Sequence, residues 1–227
     1  MKQYAVIVAG GSGTRLGSEI PKQFLNLNGR PVLWWSMKAF HDENPDTRLI
    51  LVLPQEYLSL WNKMFASLPA EEQYPHEIAT GGTTRGQSVK NGLSLIEDEN
   101  SYVAIHDGAR PLVTPDLIHR GWETVKINGA CIPGVAVTDS LRYKENDHTT
   151  ASVDRACYVA VQTPQVFESA MIKEAYEAAG DKSFTDDAAV AENSGKHITL
   201  FEGSYDNIKI TNPRDMAIAA VIMARDA

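Results

Sequence analysis

The chain has 227 residues, 43% of them hydrophobic, which is ordinary for a globular protein and ample for one large α/β domain with a substantial core. Its formal net charge of −8, from 21 basic and 29 acidic side chains, makes it a poor general binder of nucleic acid or anionic membrane, so a phosphate ligand needs a local cationic pocket. No apolar run approaches the roughly 20 residues of a membrane span, and the six histidines lack the paired spacing of a zinc site.

Met1-Lys2-Gln3 leads directly into an apolar run, Ala5 to Ala9, which predicts a buried strand rather than a signal peptide. The strand runs into Gly10, Gly11 and Gly13, with Arg15 and Lys22 close behind. Glycines let a backbone approach a bulky anion and aim its N–H groups at it, and the two cations add fixed positive charge where a polyphosphate would sit. The spacing is neither that of a P-loop nor that of the dinucleotide fingerprint: from Gly11 and Gly13 the third glycine of the latter falls on Leu16, and no acid is placed about 20 residues on to hold a ribose. Two cations in one short loop fit a triphosphate site better than a bare structural turn.

Further strands are predicted at Leu49–Leu53, Val103–Ile105 and Cys131–Val137, with a weaker one at Ile198–Phe201. Helical spacing relates Leu33, Met37 and Phe40, and again Val89, Leu93 and Ile96. Thr114-Pro115-Asp116 sets a cap, a first-turn proline and a dipole-matching acid in order, and Asn212-Pro213-Arg214-Asp215 repeats that signature. Apolar strands alternating with amphipathic helices predict a Rossmann-like α/β fold, a mostly parallel twisted sheet with helices on both faces. Ligands of such sheets bind beyond the carboxyl ends of the strands, so the glycine loop and His106-Asp107 should open on one edge. We read residues 1–227 as a single domain. The polar stretch Asp139–Asp154 interrupts the pattern; its flanks, Ser140–Tyr143 and Ala151–Asp154, suit a hairpin, giving a projecting β-arm at about 139–156. Cys131 and Cys157, each amid apolar neighbours and without C-x-x-C spacing, suggest buried thiols in a reducing, cytoplasmic setting.

His106-Asp107-Gly108-Ala109-Arg110-Pro111 follows a buried strand, and a hard oxygen anion at Asp107, facing a triphosphate, suits Mg²⁺. Asp206-Asn207-Ile208-Lys209 offers a further acid and a further cation. Taken with Ala9–Arg15, Pro21–Leu25, Gly81-Gly82 through Ser88, Val137–Ser140, Val153–Arg155, Gln162–Gln165 and Thr185-Asp186-Asp187, these segments resemble the 2-C-methyl-D-erythritol 4-phosphate cytidylyltransferase family over nearly the whole chain. The resemblance implies transfer of CMP from CTP to 2-C-methyl-D-erythritol 4-phosphate, with release of pyrophosphate, in isoprenoid precursor synthesis. It implies that Ala9, Gly10, Gly11, Ser12 and Gly13 wrap the CTP phosphates, that Arg15 and Lys22 stabilise the transition state, and that Gly82 and Ser88 line the nucleoside site. Asp107, which lies by the magnesium, would join Arg110, Ser140, Arg155, Thr163 and Lys209 around the sugar-alcohol phosphate. Family members are homodimers with crossed arms, so Ser140 and Arg155 would serve the neighbouring subunit's site. The family often has Thr at Ser140 and Asp at Thr83.

The chemistry follows from charge. The acceptor phosphate attacks the α-phosphorus of CTP, and both reactants are anions, so the protein must supply alignment and neutralisation rather than a nucleophile. Two alternatives share the opening loop: a ribitol-5-phosphate cytidylyltransferase, and a nucleotide-sensing module that performs no chemistry. Val137–Ser140 and Thr185–Ala188 look more like the methylerythritol enzyme, and a sensor has no need for a full set of charges around a reacting centre.

Overall fold

The apolar run that opens the chain becomes a central strand because both of its faces are covered. The computed structural model describes residues 1–10, 20–180 and 182–225. Its elements in chain order are β1 (Lys2–Val8), β2 (Asn26–Leu27), β3 (Arg30–Pro31), α1 (Val32–Glu43), β4 (Arg48–Leu53), α2 (Leu58–Ala66), β5 (His76–Thr80), α3 (Arg85–Leu93), β6 (Ser101–Asp107) and α4 (Pro115–Asn128). There follow β7 (Ala130–Ala136), β8 (Arg142–Lys144), β9 (Thr150–Ser152), β10 (Val159–Val161), β11 (Gln165–Glu168), α5 (Ser169–Ala179), α6 (Asp187–Asn193), β12 (Thr199–Glu202) and α7 (Pro213–Arg225).

The main sheet has the order β10-β7-β11-β6-β1-β4-β5, with β12 also on β7. Pairs β1–β4, β1–β6, β4–β5 and β7–β12 are parallel, whereas β11 runs antiparallel to both β6 and β7, and β10 antiparallel to β7. The alternation along β1 shows why the sheet is buried on both sides. Ala5 and Ile7 pack with Leu33, Met37 and Phe40 of α1, Trp61 of α2 and Trp122 of α4. Tyr4 and Val6 face Val89 and Leu93 of α3, Ile172 of α5 and Val190 of α6. Trp61 and Phe40 are wholly inaccessible and Trp122 nearly so, each contributing on the order of 1.5–3 kcal/mol or more by burial.

The sequence signals for helix ends act as expected. The Thr114 side chain accepts a hydrogen bond from Leu117 N–H, Pro115 opens α4, and Gly129 closes it with a φ of 75° that only glycine adopts cheaply. At α7, Asp215 accepts from the N–H groups of Thr211 and Asn212 while Asn212 accepts from Asp215 N–H. The strands β2, β3, β5, β10 and β11 and the helices α2, α5 and α6 are additional to those read from the sequence. The edge strand β5 (His-Glu-Ile-Ala-Thr) buries only Ala79, so its apolar signal is weak. The polar stretch forms the β8–β9 hairpin, exposed along its length except for Ala151, which is half-buried. Cys131 is buried and donates its S–H to Gly121 O, but Cys157 is exposed, contrary to the sequence expectation. Its apolar neighbours Tyr158, Val159 and Val161 are themselves exposed, because β10 lies at the sheet edge and is uncovered on both faces.

Candidate active site

Strands β1, β4 and β6 end together, and that common end builds the site. Val8 stands opposite Asp107, Gly108 N–H donates to Val8 O at 2.9 Å, and Ala9 N–H to Val52 O at 2.9 Å. Gly10 follows immediately; a Cβ there would lie 3.4 Å from the Ser88 hydroxyl. That hydroxyl accepts from Gly82 N–H at 3.0 Å and donates to Thr84 O at 2.9 Å, fixing the loop before α3. A Cβ on Gly82 would overlap the Gln87 side chain at 2.1 Å, which accounts for the glycine. Ala9, Gly10, Gly82 and Ser88 therefore share one corner. Gly11, Ser12, Gly13 and Arg15 lie outside the described residues.

The second corner is ionic. Lys22 donates to Ile210 O at 2.5 Å, and Ile210 N–H donates to Ala109 O at 2.8 Å. This seam lays Lys209 beside the loop after β6, with its ammonium 2.8 Å from Asp107 Oδ2. Arg110 Nε stands 3.6 Å from the same oxygen, and Arg85 Nε 3.6 Å from Oδ1. Burial alone would push the Asp107 carboxyl up, but Lys209, then Arg85 and Arg110, hold it well below the usual carboxylate range. Asp107 is thus firmly ionised. Arg85 is half-buried, and Asp187 keeps its guanidinium charged against the desolvation. Three cations against two carboxylates leave one positive charge in excess, in a chain whose net charge is −8.

A polar relay holds this cluster in place. Thr163 Oγ1 accepts from Asp107 N–H at 3.0 Å and lies 3.1 Å from His106 Nδ1. His106 Nε2 lies 3.2 Å from Arg110 O, which can only accept, so Nε2 carries the proton and Nδ1 receives that of Thr163. Burial pushes the His106 imidazole down to about 4, so it stays neutral. Asn207 donates to Thr163 O at 2.9 Å, and Arg110 Nη1 donates to Asn207 O at 2.8 Å. Among the described residues Arg110 Nε has no hydrogen-bond partner, since Asp107 stands just out of reach. Asp107 Oδ1 likewise faces Arg85 from beyond hydrogen-bond distance, and among the described residues no donor bonds it.

The structure thus brings together Lys22, Asp107, Arg110, Thr163 and Lys209, which the sequence scatters over 188 positions. Ser140 and Arg155 stay apart. Both are exposed at the base of the β8–β9 arm, where Arg155 donates to Thr138 O, and among the described residues neither contacts the Asp107 cluster. Asp206 turns away from the site to pair with Arg225 at 2.5 Å. Sequence reasoning assigned no role to Arg85, Asp187 or His106; each sits inside a segment it singled out, but their pairing is set by strands far apart in the chain. A cavity of about 330 Å³ borders Arg85, between the start of α3 and the end of α5, and takes in none of the Asp107, Arg110 or Lys209 side chains. Among the described residues no three His, Cys, Asp or Glu side chains gather as a metal cage. Asp107 by itself fits Mg²⁺, which takes one or two carboxylates and completes its shell with phosphate oxygens and water.

Comparison with known proteins gives one consistent result. Residues 3–225 match the family profile of 2-C-methyl-D-erythritol 4-phosphate cytidylyltransferase. A protein of that name from Bacteroides thetaiotaomicron is 43% identical over 226 residues, covering 98% of this chain and all of the relative. Another, from Bacillus velezensis, is 36% identical and covers 100% of this chain and 98% of its own. The crystal structure of 2-C-methyl-D-erythritol 4-phosphate cytidylyltransferase from Thermus thermophilus superposes with a TM-score of 0.77 at 29% identity, covering 96% of this chain and 98% of that one.

Proposed function

The chain belongs to the 2-C-methyl-D-erythritol 4-phosphate cytidylyltransferase family, and from that premise we propose how its own residues carry out the transfer. It is a nucleotidyltransferase that passes CMP from CTP to 2-C-methyl-D-erythritol 4-phosphate in isoprenoid precursor synthesis. An oxygen of the acceptor phosphate attacks the α-phosphorus, the bond from that phosphorus to the bridging oxygen breaks, and pyrophosphate leaves with the electron pair. The attacking oxygen is already ionised, so no side chain has to remove a proton.

The observation that carries the reading is the positive excess around Asp107, gathered where β1 and β6 end. In our reading the glycine loop from Ala9 to Gly13 receives the triphosphate, and Gly82 and Ser88 receive the nucleoside. Arg15 and Lys22 neutralise charge developing at the α-phosphate, Arg15 by a forked grip and Lys22 as a compact point charge. Arg110 and Lys209 draw in the acceptor phosphate. Asp107 keeps their charges from collapsing on each other, and Thr163, whose proton is directed to His106, holds the Asp107 backbone. Mg²⁺ bound at Asp107 would screen the triphosphate and ease the departure of pyrophosphate.

The acceptor site is completed in our reading by a second copy of the chain. Ser140 and Arg155 sit exposed on the arm side, beside the exposed apolar side chains Tyr158, Val159, Val161 and Leu200. A two-fold pairing that covers this face would carry Ser140 and Arg155 into the neighbour's site. Two free thiols, one of them exposed, suit the reducing cytoplasm. Among the described residues no helix is long and apolar enough to cross a membrane.

The test supplies CTP, Mg²⁺ and either 2-C-methyl-D-erythritol 4-phosphate or ribitol 5-phosphate, and follows pyrophosphate. Release with the first acceptor and none without an acceptor is expected. Release that needs no acceptor, or that favours ribitol 5-phosphate, refutes the assignment.

A further inference from the structure

Asp187 takes no part in the steps above, yet it is completely buried and tied down from every side. Its two oxygens accept a forked pair of hydrogen bonds from Arg85, Nη1 to Oδ1 at 2.9 Å and Nη2 to Oδ2 at 2.7 Å. The Tyr176 hydroxyl donates to Oδ1 at 2.5 Å. The backbone N–H groups of Asp187 and Ala188 both donate to Gln165 Oε1, at 3.1 and 2.9 Å, and Gln165 Nε2 donates to Asp186 Oδ2 at 2.9 Å. Asp186 in turn caps α6 by accepting from Ala189 N–H. Four elements, β11, α5, α6 and α3, thus fix one carboxylate, and that carboxylate fixes one guanidinium.

A guanidinium held by its fork presents its remaining edge in a set direction. For Arg85 that edge carries Nε, which stands 3.6 Å from Asp107 Oδ1. A buried ion pair adds little stability over an apolar pair of the same shape, so stability alone is a weak reason for this one. Orientation is a stronger reason. Arg85 is the first residue of α3, three positions after Gly82 and three before Ser88, so it spans from the nucleoside corner to the carboxylate corner.

We propose that Asp187 is a positioning residue: by locking Arg85 it sets the direction of the Asp107 carboxylate that faces the acceptor phosphate. The inference rests on the cytidylyltransferase reading above. Without the lock, Asp107 keeps only Lys209 and Arg110, its negative charge is less well compensated, and the dianionic acceptor is repelled. The nucleotide, held from Gly82 and Ser88, is affected much less.

The test is steady-state kinetics on the full-length protein with both substrates varied, alongside thermal melting. Replacing both partners, Arg85→Gln with Asp187→Asn, removes both charges, keeps amide hydrogen bonding and leaves no orphaned buried ion. The double variant is expected to melt within a few degrees of wild type. Its KM for 2-C-methyl-D-erythritol 4-phosphate should rise about tenfold, the size of one lost charged contact, with the KM for CTP within about twofold. Unchanged acceptor KM, or equal rises in both KM values together with a large fall in melting temperature, would overturn the proposal. If the double variant does not fold, Arg85→Lys decides: it keeps the charge but not the fork, so the same selective rise is expected, and wild-type kinetics overturn the idea. Wild-type turnover in the same assay tests the underlying activity separately, and an inert wild-type protein overturns that reading and this one with it.

Discussion

Two regions of the molecule are rich in charge and polar groups, and they are organised in opposite ways. Around Asp107 the charged groups come from distant segments and hold one another: Lys22 and Arg110 are anchored to backbone carbonyls, Arg85 to Asp187, and the more exposed Lys209 to Asp107 itself, so the cations are placed before any substrate arrives. In the arm the charges are exposed and satisfied within a few residues: Lys144 pairs with Asp147, and Arg142 bonds to Thr150. Local, solvated pairs of this kind contribute about 0–1 kcal/mol and fix nothing beyond the hairpin. In the proposed reading, the contrast makes the first region a preorganised electrostatic device and the arm a presenting surface whose value depends on what it meets.

The largest expected effect sharpens the first half of that comparison. Arg15→Ala should lower turnover by about 10²–10³, the usual consequence of removing one well-aimed donor, while far-ultraviolet circular dichroism stays unchanged. Next comes a test of the arm. Arg155→Ala and Lys22→Ala are each expected to be nearly inactive as pure proteins. Mixed one to one and allowed to exchange subunits, they should regain about a quarter of wild-type turnover, because each mixed dimer has one intact site. No recovery would mean that the arm serves its own chain, and the contrast between the two regions would then lose its functional meaning. Removal of divalent metal by a chelator should stop pyrophosphate release, and added Mg²⁺ should restore it; turnover that survives chelation contradicts the role given to Asp107.

The smallest expected effect lies outside both regions. His76 accepts from Trp61 Nε1 at 3.1 Å, and burial holds its imidazole below the ordinary value. Because the folded group is harder to protonate than the unfolded one, its neutral form supports the fold above pH of about 6.5, and that support is lost as pH falls toward the lowered folded value. His76→Gln keeps an acceptor for Trp61 but does not titrate. Its melting temperature should therefore fall less steeply below pH of about 6.5, by on the order of 2–4 °C, with turnover at neutral pH unchanged. Parallel melting curves for the two proteins would remove His76 from the acid limb.

Much of the first region was legible in the sequence because its parts announce themselves locally. A buried strand followed by glycines, an Asp at a strand end and two helix-start signatures are all short-range patterns, and their places in the fold follow from strand alternation. The Arg85–Asp187 pair was not legible, since its partners are 102 positions apart and meet only when β11 inserts antiparallel beside β6. The short strand β11 begins with a buried Gln, whose polarity hides it from any search for apolar runs. Cys157 misled for a related reason: apolar neighbours read as core, but in a strand at the sheet edge they face outward.

The most direct measurement sets one cation from each region side by side. Pyrophosphate release by Lys22→Ala and by Lys144→Ala should differ by at least about 100-fold, the first nearly silent and the second within about twofold of wild type. Similar rates from the two variants would contradict the claim that fixed positive charge at the ends of β1 and β6 is what lets two anions react.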